Sequence, residues 1–202
     1  MRFLKDNFQD ISKLYINQIG VTIFSLFLYT AIAMVDDESI FSLLKIATSV
    51  LATLFYLVLS YFIIWEIGAK DKIRIDSGRL SPSPAKGLFI SLFANIPNLL
   101  LALLAVIFAV LMILGNDWAL SAFGTVLLIL RFHSMMFMGI VMGDNPAGGG
   151  DITYVDMNDC LVESLLYLLL PLLLVAFAHF AYWMGSNEYK IFGFLSSNKK
   201  TK

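Results

Sequence analysis

The chain has 202 residues, of which 59% are hydrophobic and only 14% charged, with a formal net charge of −1. Soluble domains carry about 25% charged residues, and one soluble core has no use for apolar blocks this long and this numerous, so a soluble globular domain is excluded. No basic run carries interleaved aromatics, which excludes nucleic acid as a partner, and the lone Cys160 excludes an internal disulfide.

What remains is an all-α, polytopic integral membrane protein whose first partner is the lipid bilayer. About 20 helical residues cross about 30 Å of hydrocarbon, and the apolar blocks predict about five transmembrane helices preceded by an amphipathic interfacial helix. That leader, residues 1–18, puts Leu4, Phe8, Ile11 and Tyr15 at three- and four-residue steps. Lys5, Asp6, Gln9, Asp10 and Lys13 fall on its other faces, as expected of a helix lying along a membrane surface. Ala31-Ile32-Ala33 has the small-residue form of a signal cleavage site, but the long leader with two aspartates argues against a secretory signal.

Residues 19–185 are expected to form one transmembrane helical domain, with spans at about 19–35, 43–65, 88–114, 118–143 and 161–185. A lysine-bearing tail, 186–202, follows. Asp36 to Ser39 form an acidic turn after the first span. Gly68 to Gly87 carries five cations against Asp71 and Asp76, and its Ser83-Pro84 pair suits the N-cap and first position of the third helix. Gly115 to Asp117 is a tight turn, and Asp144 to Asp159 is a Gly-rich acidic loop without Lys or Arg. Asn158 or Asp159 is the expected cap of the last span. No internal or inverted repeat is apparent.

Cytoplasmic loops collect Lys and Arg. Arg2, Lys5 and Lys13 in the leader and the five cations of 68–87 place both regions in the cytoplasm of a multi-pass protein of the cell membrane. The last third conflicts with this. A plain crossing by 118–143, the simpler expectation, puts the acidic loop inside and the lysine tail outside. Making 118–143 re-entrant, with its turn near Arg131 to Ser134, removes the conflict.

Arg131 and His133 are the main chemical clue, because a cation at bilayer depth costs about 2.5–3.5 kcal/mol and needs a partner or a purpose. In the five-span arrangement Glu66, Asn95, Asn98, Arg131, His133 and Glu163 all approach the cytoplasmic half, forming a candidate polar pocket. Glu66 is the first-choice partner of Arg131 and Glu163 the second. Pro97 between the two asparagines reads as a kink, as does Pro171. Gly139 and Gly143 form a GxxxG step suited to close helix packing. Met135, Met136, Met138 and Met142 beside His133 read as packing rather than a copper(I) site. The acidic loop, with Asp151 and Asp156, lacks the ligand order of a calcium loop. No metal and no cofactor is expected.

No hydrolase, nucleotide or zinc motif is present. The preferred expectation is therefore a small non-enzymatic integral membrane protein, an accessory or scaffold subunit of a membrane complex or a homo-oligomer. The alternative is a transporter or channel component using a pocket at Asn95, Asn98, Arg131 and His133. A third is an intramembrane lipid-modifying enzyme pairing His133 with Glu66 or Glu163.

Overall fold

The computed structural model describes residues 2–142 and 157–189, and all regular structure among them is helical. The elements are α1 (Arg2–Ile32), α2 (Glu38–Asp76), α3 (Lys86–Ile113), α4 (Asp117–His133), a 3₁₀ turn (Met135–Phe137), α5 (Met138–Met142) and α6 (Met157–Ser186). The acidic residues Asp151 and Asp156, Gly143 and the tail beyond Tyr189 lie outside the described residues.

The bundle is packed in the manner lipid demands. Large apolar side chains such as Phe27, Leu43, Leu100 and Leu128 face outward, an arrangement compatible with helices this long and apolar crossing a membrane. The inward faces carry small residues that let backbones approach. On α3 the buried stripe includes Gly87, Ser91, Ala94, Ala102, Ala105 and Ala109. On α2 it includes Ser49, Ala52, Ser60 and Gly68. A Cβ on Gly68 or Gly185 would collide with the backbone of the facing helix, α6 or α2, and one on Gly87 with Tyr182. These glycines set how closely α6 seats on α2 and α3.

Four helices are long and apolar enough to cross a membrane: Phe3–Ile32, Glu38–Asp76, Lys86–Ile113 and Asp159–Ser186. The fourth apolar block is different. It is α4, a break at Ser134, and a second short helical stretch bent by 87° from the first. Instead of one straight helix, residues 117–141 form a helix that stops and turns.

Contacts along α2 show where it turns. Thr53 Oγ1 donates to the Met136 carbonyl at 3.3 Å. Three residues later, the Gly139 amide donates to Ser49 Oγ at 2.6 Å and to Tyr29 Oη at 2.8 Å. Ser49 is a full turn closer to the start of α2 than Thr53, so between Met136 and Gly139 the chain steps about one turn along α2 toward its start.

One end of the bundle therefore holds the start of α1, the end of α2, the start of α3 and the end of α6. Phe3 packs on Phe89 with centroids 5.7 Å apart, Tyr182 Oη donates to Asp71 Oδ2 at 3.0 Å, and Trp65 Nε1 donates to the Tyr189 carbonyl at 2.6 Å. The other end holds the turns at 33–37 and 114–116. The first of these is fixed by Asp37, whose Oδ1 caps α2 through the Ser39 and Ile40 amides at 3.0 and 3.1 Å. The Ser39 hydroxyl is the main cause holding the Asp37 carboxyl below its ordinary range, with the Ile40 amide adding to it.

Four boundaries differ from expectation. The leader is not a separate element: α1 runs unbroken, with no proline in it and no backbone break at Gln18 or Ile19. Its Ile11 and Tyr15 pack against the bundle beside the buried Leu14, while Leu4 and Phe8 stay outward. The second helix continues to Asp76, at about 1.5 Å per residue some 58 Å, so the basic connection shrinks to 77–85. The third helix begins at Lys86 with Ala85 as its cap position; Ser83 contributes only its carbonyl, which accepts from the Lys86 amide at 3.1 Å. The last helix starts at Met157, so Asn158 and Asp159 lie inside its first turn rather than capping it.

Candidate functional site

The Arg131 guanidinium, partly buried on α4 with its side chain 31% exposed, meets Glu163 on α6 side by side: Nε to Oε1 at 2.8 Å and the terminal nitrogen to Oε2 at 2.7 Å. Two parallel charge-assisted bonds are the geometry in which a guanidinium best satisfies a carboxylate. The expected first-choice partner, Glu66, is elsewhere. It lies at the basic end, exposed, with Lys70 at 2.6 Å. The five-span arrangement set both carboxylates on one side. Arg131, less than a turn before the break in α4, meets the beginning of α6 and not the end of α2.

His133 points the other way, toward α1. Its ring lies 5.9 Å from that of Tyr15, and its carbonyl accepts from Thr22 Oγ1 at 3.0 Å. Nε2 is buried without a hydrogen-bond partner among the described residues. Among the described hydrogen bonds and ion pairs, Glu163 is engaged by Arg131 and Glu66 by Lys70.

Asn95 and Asn98 are both 0% exposed. Asn95 Nδ2 donates back to the Ser91 carbonyl at 2.9 Å, not to the Phe93 carbonyl that Pro97 frees. Asn98 reaches Asn95 Oδ1 at 3.5 Å and accepts from Ser134 Oγ at 3.4 Å. Ser134 is the residue at which α4 breaks. The structure therefore splits the expected pocket in three: Asn95, Asn98 and His133 gather at the break, Arg131 and Glu163 neutralise each other on the flank facing α6, and Glu66 stands apart.

Several polar groups at this site lay outside the expected set. Gln18 is 0% exposed, and neither its Nε2 nor its Oε1 has a partner among the described residues. Asn17 Nδ2 donates to Ser60 Oγ at 3.4 Å, and Tyr56 faces Ser60 and Asn95. Tyr29, Ser49 and the Gly139 amide form a second cluster under the returning segment, where the two hydroxyls also bond each other. A Cβ at Gly139 would strike the Lys45 carbonyl, which is a physical reason for glycine there. Lys45 itself is buried at 4% exposure.

The sequence did carry a signal for these groups. Lys45, Ser49, Ala52, Tyr56 and Ser60 recur at three- and four-residue steps, so the small and polar face of α2 is its buried face. At the basic end a cleft of about 620 Å³, lined in part by Lys13, Ile63, Glu66 and Lys86, opens between α1 and α2. One turn deeper than Lys13 and Ile63, Asn17 and Ser60 close it. Comparisons with protein-family models, curated proteins and solved structures each returned no match.

Proposed function

We propose that this protein is a channel or transporter component that passes small polar solutes, and that it is described here in a closed state. The observation that carries the reading is a break in a buried helical segment facing a seam of neutral polar side chains. The seam runs from the cleft at the basic end through Asn17 and Ser60, Tyr56 and Asn95, to Asn98 and Ser134. Non-helical backbone at membrane depth is tolerated where protein or a water-lined path covers it, and transporters place their sites at such discontinuities. The Arg131–Glu163 pair supports an uncharged cargo over an anionic one, since the guanidinium is already neutralised.

The test is permeation in liposomes. Purified protein reconstituted in neutral-lipid vesicles speeds re-swelling in a urea or glycerol gradient, followed by stopped-flow light scattering, relative to empty vesicles. Rates equal to those of empty vesicles for both probes reject the pathway and return the accessory-subunit reading to first place.

The same reading orients the chain in the membrane: four crossings, 118–142 re-entrant, and the end bearing Lys5, Lys13, Lys70, Lys72, Arg74, Arg79 and Lys86 in the cytoplasm. Supporting it, Lys45 and Arg131 are the only described cations outside that end, and α6 returns to it at Tyr182 and Tyr189. This satisfies the positive-inside bias along the whole chain. In a Cys160→Ser background, Ser77→Cys is protected from an impermeant thiol reagent in intact cells, whereas Met34→Cys and Gly149→Cys are labelled. Protection of Gly149→Cys with labelling of Met34→Cys restores the straight fifth span, and labelling at Ser77→Cys inverts the protein.

A further inference from the structure

We propose that the break at His133 and Ser134 is a binding site for a small uncharged molecule that both donates and accepts hydrogen bonds, water being the smallest of the class. The inference rests on the pathway reading and names the chemistry of its central station. Its first support is Gln18. A primary amide brings two donors and one acceptor, and here all of them are buried at 0% exposure with no partner among the described residues. Buried polar groups are almost always satisfied, by protein or by an ordered small molecule.

The second support is position. Gln18 follows Tyr15 by three residues and precedes Thr22 by four, so the three share one face of α1. Both neighbours touch His133, one through its ring and one through its carbonyl. Gln18 therefore faces the break. At the break itself His133 Nε2 is likewise buried and unpartnered among the described residues, and on the α3 side the Ser134–Asn98 and Asn98–Asn95 bonds are long, at 3.4 and 3.5 Å. Unmade bonds from two directions thus converge on one discontinuity.

The mixture of groups selects the ligand class. A metal cation would use the oxygens but leave the Gln18 donors unmatched, and it would sit two residues from the Arg131 guanidinium. An anion would leave the acceptors unmatched. A neutral molecule with both functions satisfies Gln18, and it suits His133 in either tautomer.

The test reads hydration and stability in the purified full-length protein. Hydroxyl radicals made from bound water by microsecond X-ray pulses oxidise side chains beside that water. The expected result is labelling of His133 and of the fully buried Met136, at rates several-fold above those with hydrogen peroxide added from bulk. Gln18→Leu cuts that labelling several-fold and lowers the melting temperature. His133→Phe, which removes the other unpaired group, cuts Met136 labelling as well and keeps the test valid if Gln18→Leu does not fold. Unchanged labelling in these variants, or a melting temperature that rises in Gln18→Leu because a dry orphan amide has been removed, overturns the site. Labelling without urea or glycerol permeation rejects the pathway and leaves the site standing; permeation without labelling does the reverse.

Discussion

Arg131→Leu lowers the melting temperature of the detergent-purified protein by roughly 6–12 °C and reduces its folded yield. The change strands the Glu163 carboxylate, whose side chain is 15% exposed, on the flank of α6. Removing one member of a buried ion pair costs about 3–5 kcal/mol, while replacing both by apolar residues is often close to neutral. At about 2–4 °C per kcal/mol for a chain of this size, the lower end of that range gives the stated shift. Glu163→Leu in the Arg131→Leu background recovers most of the loss. The diagnostic quantity is the coupling in the double-mutant cycle: additive losses, or two silent single variants, mean that the pair does not hold α4 to α6.

Gly139→Ala has an effect of similar size through a different cause. The added methyl meets the Lys45 carbonyl and Ser49 Oγ, and such overpacking costs about 1–3 kcal/mol. Relief by retreat of the returning segment stretches the two bonds from the Gly139 amide to Tyr29 and Ser49, where leaving a buried donor unpaired costs about 1–3 kcal/mol. Gly124→Ala is the matched control. Its Cβ meets nothing within 4 Å, and its helix gains up to about 1 kcal/mol from the better helix former. Thermal melts of the two variants shift in opposite directions if the returning segment is seated as described. Equal shifts mean that glycine at 139 has no packing role.

Much of this architecture was legible because lipid constrains it so strongly. Each of the four long helices coincides with an apolar block, and the charge conflict in the last third located the irregular segment at Arg131 to Ser134 before any coordinates. The conflict could not reveal the 87° bend itself, since the stretch after the break is held by tertiary bonds from Thr53, Tyr29 and Ser49. The partner of Arg131 was misassigned for the same reason: depth counted along a straight helix fails once the helix bends. Gln18 escaped notice because the polar residues around it suggested an interfacial leader. In fact α1 is one helix whose Tyr15 and Thr22 meet His133 at the end of α4, with the buried Gln18 between them. Burial on α2 and α3 follows small and polar residues rather than large apolar ones, an inversion of soluble-protein patterning that a search for apolar stripes overlooks.

The Arg131–Glu163 pair also imposes an order of assembly. Its carboxylate belongs to the last of the described helices, as do Tyr182, which holds Asp71, and Gly185, which seats against Trp65. A nascent chain that has delivered α4 but not α6 carries an unneutralised guanidinium into the bilayer, with the α3 face that α6 will cover still bare. If the chain inserts in a membrane as proposed, the earlier helices reach their final packing only when α6 arrives. Quality control at the membrane would recognise a chain truncated before Glu163 by that single unmatched charge.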